Sequence, residues 1–176
     1  MILDVSMLSG SKPVLGLDVD GVLNVVNRSQ NHKTYDMFRS DSGWWIRFRR
    51  ELPGWLDRLV DHFDLVWCTM WDHNANTELA DRLDLPWLPY IPCWDGQDVV
   101  AEWNGLLVHP KVPCIDKHVQ DWPFAWVDDS LGKGDFAWAD WRDDNLAPTK
   151  LLSIDPRMGL LEHHVNKLIA WAELIK

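Results

Sequence analysis

The stretch VLGLDVDGVLN, residues 14–24, decides how the rest of the chain is read. Val14, Leu15, Leu17 and Val19 form an apolar run that carries two carboxylates, Asp18 and Asp20, and closes on Gly21. On an extended backbone successive side chains alternate faces, so Asp18 and Asp20 point one way while Val19 points into the core. Gly21 then allows a sharp turn, because a residue without Cβ takes up positive φ freely. Two acids at the end of a buried strand repel each other unless a cation or a shared proton lies between them. Such a pair burdens a fold that makes no use of it.

A bare D-x-D also occurs in surface loops and in glycosyltransferases that hold a metal-bound sugar nucleotide. An EF-hand is excluded, since the glycine comes too early and the bidentate Glu is missing. The full D-x-D-G-V-L-N after an apolar strand is more specific. It resembles the first motif of the haloacid dehalogenase-like (HAD) phosphohydrolases, and three further stretches follow in that family's order. DLVWCTMW, 64–71, is a short apolar run closed by Thr69, similar to the second motif. IDKHVQD, 115–121, looks like a helix start bearing Lys117, the candidate for the third; Lys111 is a weaker competitor. PFAWVDDSL, 123–131, is a buried strand ending in Asp128 and Asp129, like the fourth. Within the superfamily the chain resembles the HAD domain associated with Swiss Army Knife RNA repair proteins. DVDGVLN, WCTMW, AWVDDSL and a late DPRMGLLEHHV before a final helix with Trp171 carry that likeness.

The resemblance implies a chemistry. Asp18 would be the nucleophile, forming an aspartyl-phosphate. Asp20 would protonate the leaving oxygen and later activate water. Thr69 would hydrogen-bond a phosphate oxygen, and Lys117 would neutralise charge on nucleophile and phosphate. Asp18, Asp128 and Asp129, with the main-chain carbonyl of Asp20, would hold a divalent cation; of the last acidic pair, Asp128 is favoured for direct contact. Like charges at contact repel by roughly 4 kcal/mol at an intermediate dielectric, which a cation removes. Oxygen-only ligands indicate Mg²⁺ rather than zinc. The expected activity is a Mg²⁺-dependent phosphatase acting on phosphate monoesters, with RNA or DNA ends or nucleotides as candidate substrates. Small nucleotide or sugar phosphates are the alternative substrates. A non-catalytic HAD-fold binding module would normally have lost Asp18 or Asp20, and both are present.

The chain has 176 residues, the size of one domain, and 47% of them are apolar, which excludes global disorder. Its net charge of −10 argues against a broad basic surface for duplex nucleic acid. The first twelve residues lack the pattern of a signal peptide, and nothing approaches membrane-spanning length. Cys68, Cys93 and Cys114 form neither a disulfide framework nor a zinc pattern, so a reducing cytoplasm is expected. No obligate protein partner is evident. Most of the thirteen tryptophans are expected in the core or in shallow packing.

Strands are expected at 14–19, 64–69, 88–91, 124–127 and 150–154, alternating with helical patterns at 53–63, 74–83 and 160–176. The alternation predicts a single α/β domain over 1–176, a three-layer Rossmann-like (HAD-like) parallel sheet with helices on both faces. In such sheets ligands bind beyond the carboxyl ends of the strands, where the motif acids and Thr69 fall. TYDMFR, the turn at Asp41–Gly43 and WWIRFRR read as a small hairpin flap with no room for a large cap domain. Trp45, Arg47 and Arg49 would share one face of it, and Arg47 and Arg49 could grip a second phosphate. Trp71 and His73, just past Thr69, are candidates for substrate contact. Gly132, Gly134 and Ala137 mimic a dinucleotide G-x-G-x-x-A but do not open a βαβ unit. His163 and His164 read as helix surface.

Overall fold

Short runs buried on both faces become the strands, and the apolar stripes between them become the helices that cover the sheet. The computed structural model describes residues 2, 8–26, 33–93 and 100–176; half of the first twelve residues, read above for a signal peptide, and Trp94 lie outside them. In chain order the elements begin with β1 (Val14–Leu17), a hairpin of β2 (Tyr35–Arg39) and β3 (Trp45–Arg49), α1 (Leu52–Val60) and β4 (Asp64–Trp67). Then come α2 (Asn74–Leu79) with a 3₁₀ turn Ala80–Leu83, a second hairpin of β5 (Ala101–Trp103) and β6 (Leu106–Val108), and α3 (Val112–Val119). The chain finishes with β7 (Phe124–Asp128), α4 (Lys133–Asn145), β8 (Thr149–Ser153) and α5 (Glu162–Leu174).

The four long-range strands form one parallel sheet in the order β4-β1-β7-β8. Alternation along each strand divides the core into two layers. Leu15, Leu17, Leu65, Trp67, Ala125 and Val127 pack toward Leu56 and Leu59 of α1 and Val165 and Leu168 of α5. Val14, Val66, Phe124 and Trp126 pack on the other side, toward Ile115 of α3 and Trp138 of α4. The result is a mixed α/β fold, helices on both faces of a parallel sheet, compatible with a Rossmann-like arrangement. Among the described residues no helix is long and apolar enough to cross a membrane.

Segment 88–91 does not become a strand. It lies along β4 only through Tyr90, with Trp67 N–H donating to the Pro89 carbonyl and Ile91 N–H to the Trp67 carbonyl, both at 2.9 Å. Pro89 has no N–H to extend the ladder. The helix expected from 115 starts at Val112, with Pro113 in its first turn, so 115–121 is its second turn and exit. The β5–β6 hairpin and α4 stand outside the sequence expectations. Asn104 (φ 48°) and Gly105 (φ 78°) both lie in the left-handed region, as a two-residue hairpin turn demands. Gly134 is a packing glycine: a Cβ there would stand 2.0 Å from the Leu107 carbonyl oxygen, so its absence lets α4 press on β6. The hairpin expected as a flap is present, with Ile46 and Phe48 buried and Trp45 exposed; Trp44, expected on the face of Ile46 and Phe48, lies before β3 in the turn and is exposed as well.

Candidate functional site

Register places the acids. β1 and β7 are neighbours with Leu17 paired to Val127, so Asp18 and Asp128 leave the sheet side by side, and Asp18 N–H donates to the Val127 carbonyl at 3.1 Å. Asp18 and Asp128 are buried, and Asp129 is half-buried beside them. One carboxylate oxygen from each of the three lies within 4.8 Å of the others. Gly21 (φ 77°) fits against this corner because it has no side chain; a Cβ would stand 2.4 Å from the Asp129 carboxyl.

The ammonium that meets the acids belongs to Lys111. Its Nζ lies 2.9 Å from Asp18 Oδ1 and 2.7 Å from Asp128 Oδ2, in a buried position. Lys117, the residue expected there, is exposed on α3. The reason is the helix start: with α3 beginning at Val112, the last residue before it faces the strand ends, and Lys117 stands more than a turn further on. Lys111 is fixed from behind, its backbone N–H donating to His109 Nδ1 at 3.1 Å. Pro113 in the first helical turn was the available signal, since Pro marks helix N-termini.

Burial pushes the Asp18 carboxyl up to about 6, against the pull of Lys111 and with the push of Asp128. Burial alone would lower the Lys111 ammonium, but Asp18, Cys68 and Asp128 outweigh it and hold it above its ordinary value. Lys111 is therefore charged at neutral pH. Three carboxyl groups then share one ammonium and present oxygen-only donors. Asp18, Asp128 and Asp129 can hold a hard divalent cation of the Mg²⁺ kind.

Asp20 stands outside that cluster and is exposed. Its carboxylate accepts from Asn24 Nδ2 and from Trp71 Nε1, each at 2.8 Å. Asn24 in turn accepts the Arg47 N–H at 2.9 Å and so ties the 18–24 loop to the flap. Nothing in the spacing alone singled out Asn24, the last residue of the opening motif. Thr69 is buried two residues past β4, on a segment held to β1 by Cys68 N–H donating to the Leu17 carbonyl at 2.9 Å.

The structure gives the flap arginines other tasks. Arg49 donates to the Met158 carbonyl at 3.1 Å and lies over the Tyr35 ring, and Arg47 reaches Met37 Sδ at 3.4 Å. Among the described residues neither contacts the acid cluster. His73 is exposed at the start of α2, its ring 6.0 Å from that of Tyr90. No protein-family model, curated protein or solved structure matches the chain.

Proposed function

We propose that this chain is a HAD-like, Mg²⁺-dependent phosphohydrolase that cleaves phosphate monoesters through an aspartyl-phosphate on Asp18. The observation that carries this reading is Lys111, buried between Asp18 and Asp128 where two adjacent parallel strands end. A lysine drawn out of water there neutralises charge just where a phosphoryl group and its nucleophile would bring more. Mg²⁺, when bound by Asp18, Asp128 and Asp129, supplies the remaining charge neutralisation.

In the first half-reaction an Asp18 oxygen bonds to phosphorus as the ester oxygen leaves. Asp20 gives that oxygen its proton, releasing an alcohol. In the second half Asp20 takes a proton from water, whose oxygen attacks phosphorus, releasing inorganic phosphate and restoring Asp18. Lys111 balances charge on Asp18 throughout, and the Thr69 hydroxyl donates to a phosphoryl oxygen. Asn24 and Trp71 are positioning residues that hold the Asp20 carboxyl by one oxygen each. A panel of phosphate monoesters assayed with and without Mg²⁺ tests the reading. Turnover should require the cation and vanish in Asp18→Asn; release of phosphate by that variant at the native rate would overturn the assignment.

A further inference from the structure

Three tryptophans meet beside Asp20, Trp71 packed against the edge of the core and Trp44 and Trp45 standing out from it. Trp67, Trp126 and Trp138 are fully buried, whereas Trp44 is 68% and Trp45 62% exposed on the flap. Trp44, Trp45, Trp71 and Met70 line a cleft of about 450 Å³ that also takes in Asp20. That volume is in the range of small-molecule sites. Apolar rings in water normally signal a surface that meets something else.

The walls are held in place. The Trp71 indole donates to Asp20 Oδ2 at 2.8 Å. Trp44 sits on a turn closed by three hydrogen bonds, Ser40 N–H to the Trp44 carbonyl at 2.8 Å, Gly43 N–H to the Ser40 carbonyl at 2.9 Å and Trp44 N–H to Ser40 Oγ at 3.0 Å. The same turn is fastened to α2, because Glu78 accepts the Asp41 N–H at 2.9 Å, the Ser42 N–H at 3.1 Å and the Ser42 hydroxyl. The Glu78 carboxylate thus spends itself on the flap. Among the described residues that line the cleft there is no lysine or arginine.

We propose that this cleft seats the substrate's leaving group, and that Trp44, Trp45 and Trp71 select an uncharged group with a planar heteroaromatic ring, as in a nucleoside monophosphate. The inference rests on the phosphatase reading: if Asp20 protonates the leaving oxygen, the rest of that group must occupy the space beyond Asp20. Tryptophan faces bind planar rings by stacking and discriminate little among bases. Among the described residues of the cleft a second phosphate would meet Asp20 with no cation to offset it, so a single nucleotide fits better than the end of a longer strand.

The test compares Trp44→Ala/Trp45→Ala with the native chain, in Mg²⁺, on adenosine 5′-monophosphate, adenosine 3′-monophosphate, glycerol 2-phosphate and a 5′-phosphorylated oligoadenylate. Both rings are exposed, so the variant should fold, which its melting temperature checks. The native chain should favour the adenosine esters over glycerol phosphate in kcat/KM, and the variant should lose about ten-fold of that preference. An unchanged preference overturns the cleft as the ring site. Preference for the oligoadenylate over both mononucleotides overturns the uncharged leaving group. Calorimetric titration of adenosine 5′-monophosphate separates the two readings. If no ester is turned over, the phosphatase reading falls, and binding that weakens about ten-fold in the variant still supports the ring site. Binding that is absent or unaltered by the substitutions rejects it.

Discussion

Lys111 is the residue on which the site turns. Removing one partner from a buried charged group leaves the others unpaired, and such losses run to about 3–5 kcal/mol. Lys111→Met should therefore lower stability by an amount of that order in the metal-free protein and remove most activity, about a hundred-fold or more. Lys117→Ala, on the exposed face of α3, should alter neither melting temperature nor turnover. Equal effects of the two substitutions would contradict the placement of the ammonium. Asp18 carries the pH dependence. Its carboxyl titrates near 6 when folded against an ordinary 3.8, so between those values the folded chain keeps a proton that the unfolded chain has lost. The Asp18 contribution to stability thus declines as pH rises through that interval in metal-free protein. A cation must displace the same proton, so the Mg²⁺-induced rise in melting temperature should be larger near about pH 7.5 than near about pH 5. A shift that is the same at both would show that Asp18 is not a ligand.

Among the elements, the flap and α4 make separate claims. Glu78 fastens the flap turn through Asp41 and Ser42, so Glu78→Ala should free that turn without unfolding the sheet. Hydrogen exchange at Ser42 and Trp44 should speed up by about ten-fold, the equivalent of one or two lost hydrogen bonds, with exchange in β1 and β7 unchanged. Gly134→Ala forces a Cβ into the Leu107 carbonyl and should destabilise the protein by about 2 kcal/mol or more, read as a fall in the urea midpoint. The elements also differ in how far the sequence disclosed them. The central strands were legible because a parallel strand covered on both faces is apolar nearly throughout. The stretch 88–91 had the same apolar look, but its proline could not extend the ladder beyond Tyr90. The β5–β6 hairpin carries a turn signal in Asn104-Gly105, but strands of only three residues are too short to show an alternation of their own. For the lysine, a helix start placed three residues late was enough to exchange Lys111 for Lys117.

For the molecule as a whole, the division of one core into two layers is what brings the site together. Alternate residues of β1, β4 and β7 feed opposite layers, and the strand ends are left to converge at one edge. Asp18 could be read from the sequence alone, since β1 leads straight into it, but not the place of Asp20, which lies past the end of β1 and outside the acid cluster. The partners of Asp20 could not, because Asn24 and Trp71 reach it only once the loop has turned and the flap has docked. The net charge of −10 bears on the whole surface: the protein should bind duplex DNA weakly even at low salt, in contrast to proteins that neutralise many phosphates. The proposed chemistry has Asp18 take up the phosphoryl group. Acid-quenched protein, mixed with Mg²⁺ and a phosphate monoester it turns over, can be digested and weighed peptide by peptide. Expected is the mass of one added phosphoryl group on the peptide containing Asp18, lost on treatment with hydroxylamine and absent from Asp18→Asn; a phosphoryl group on another residue, or turnover persisting in that variant, would contradict it.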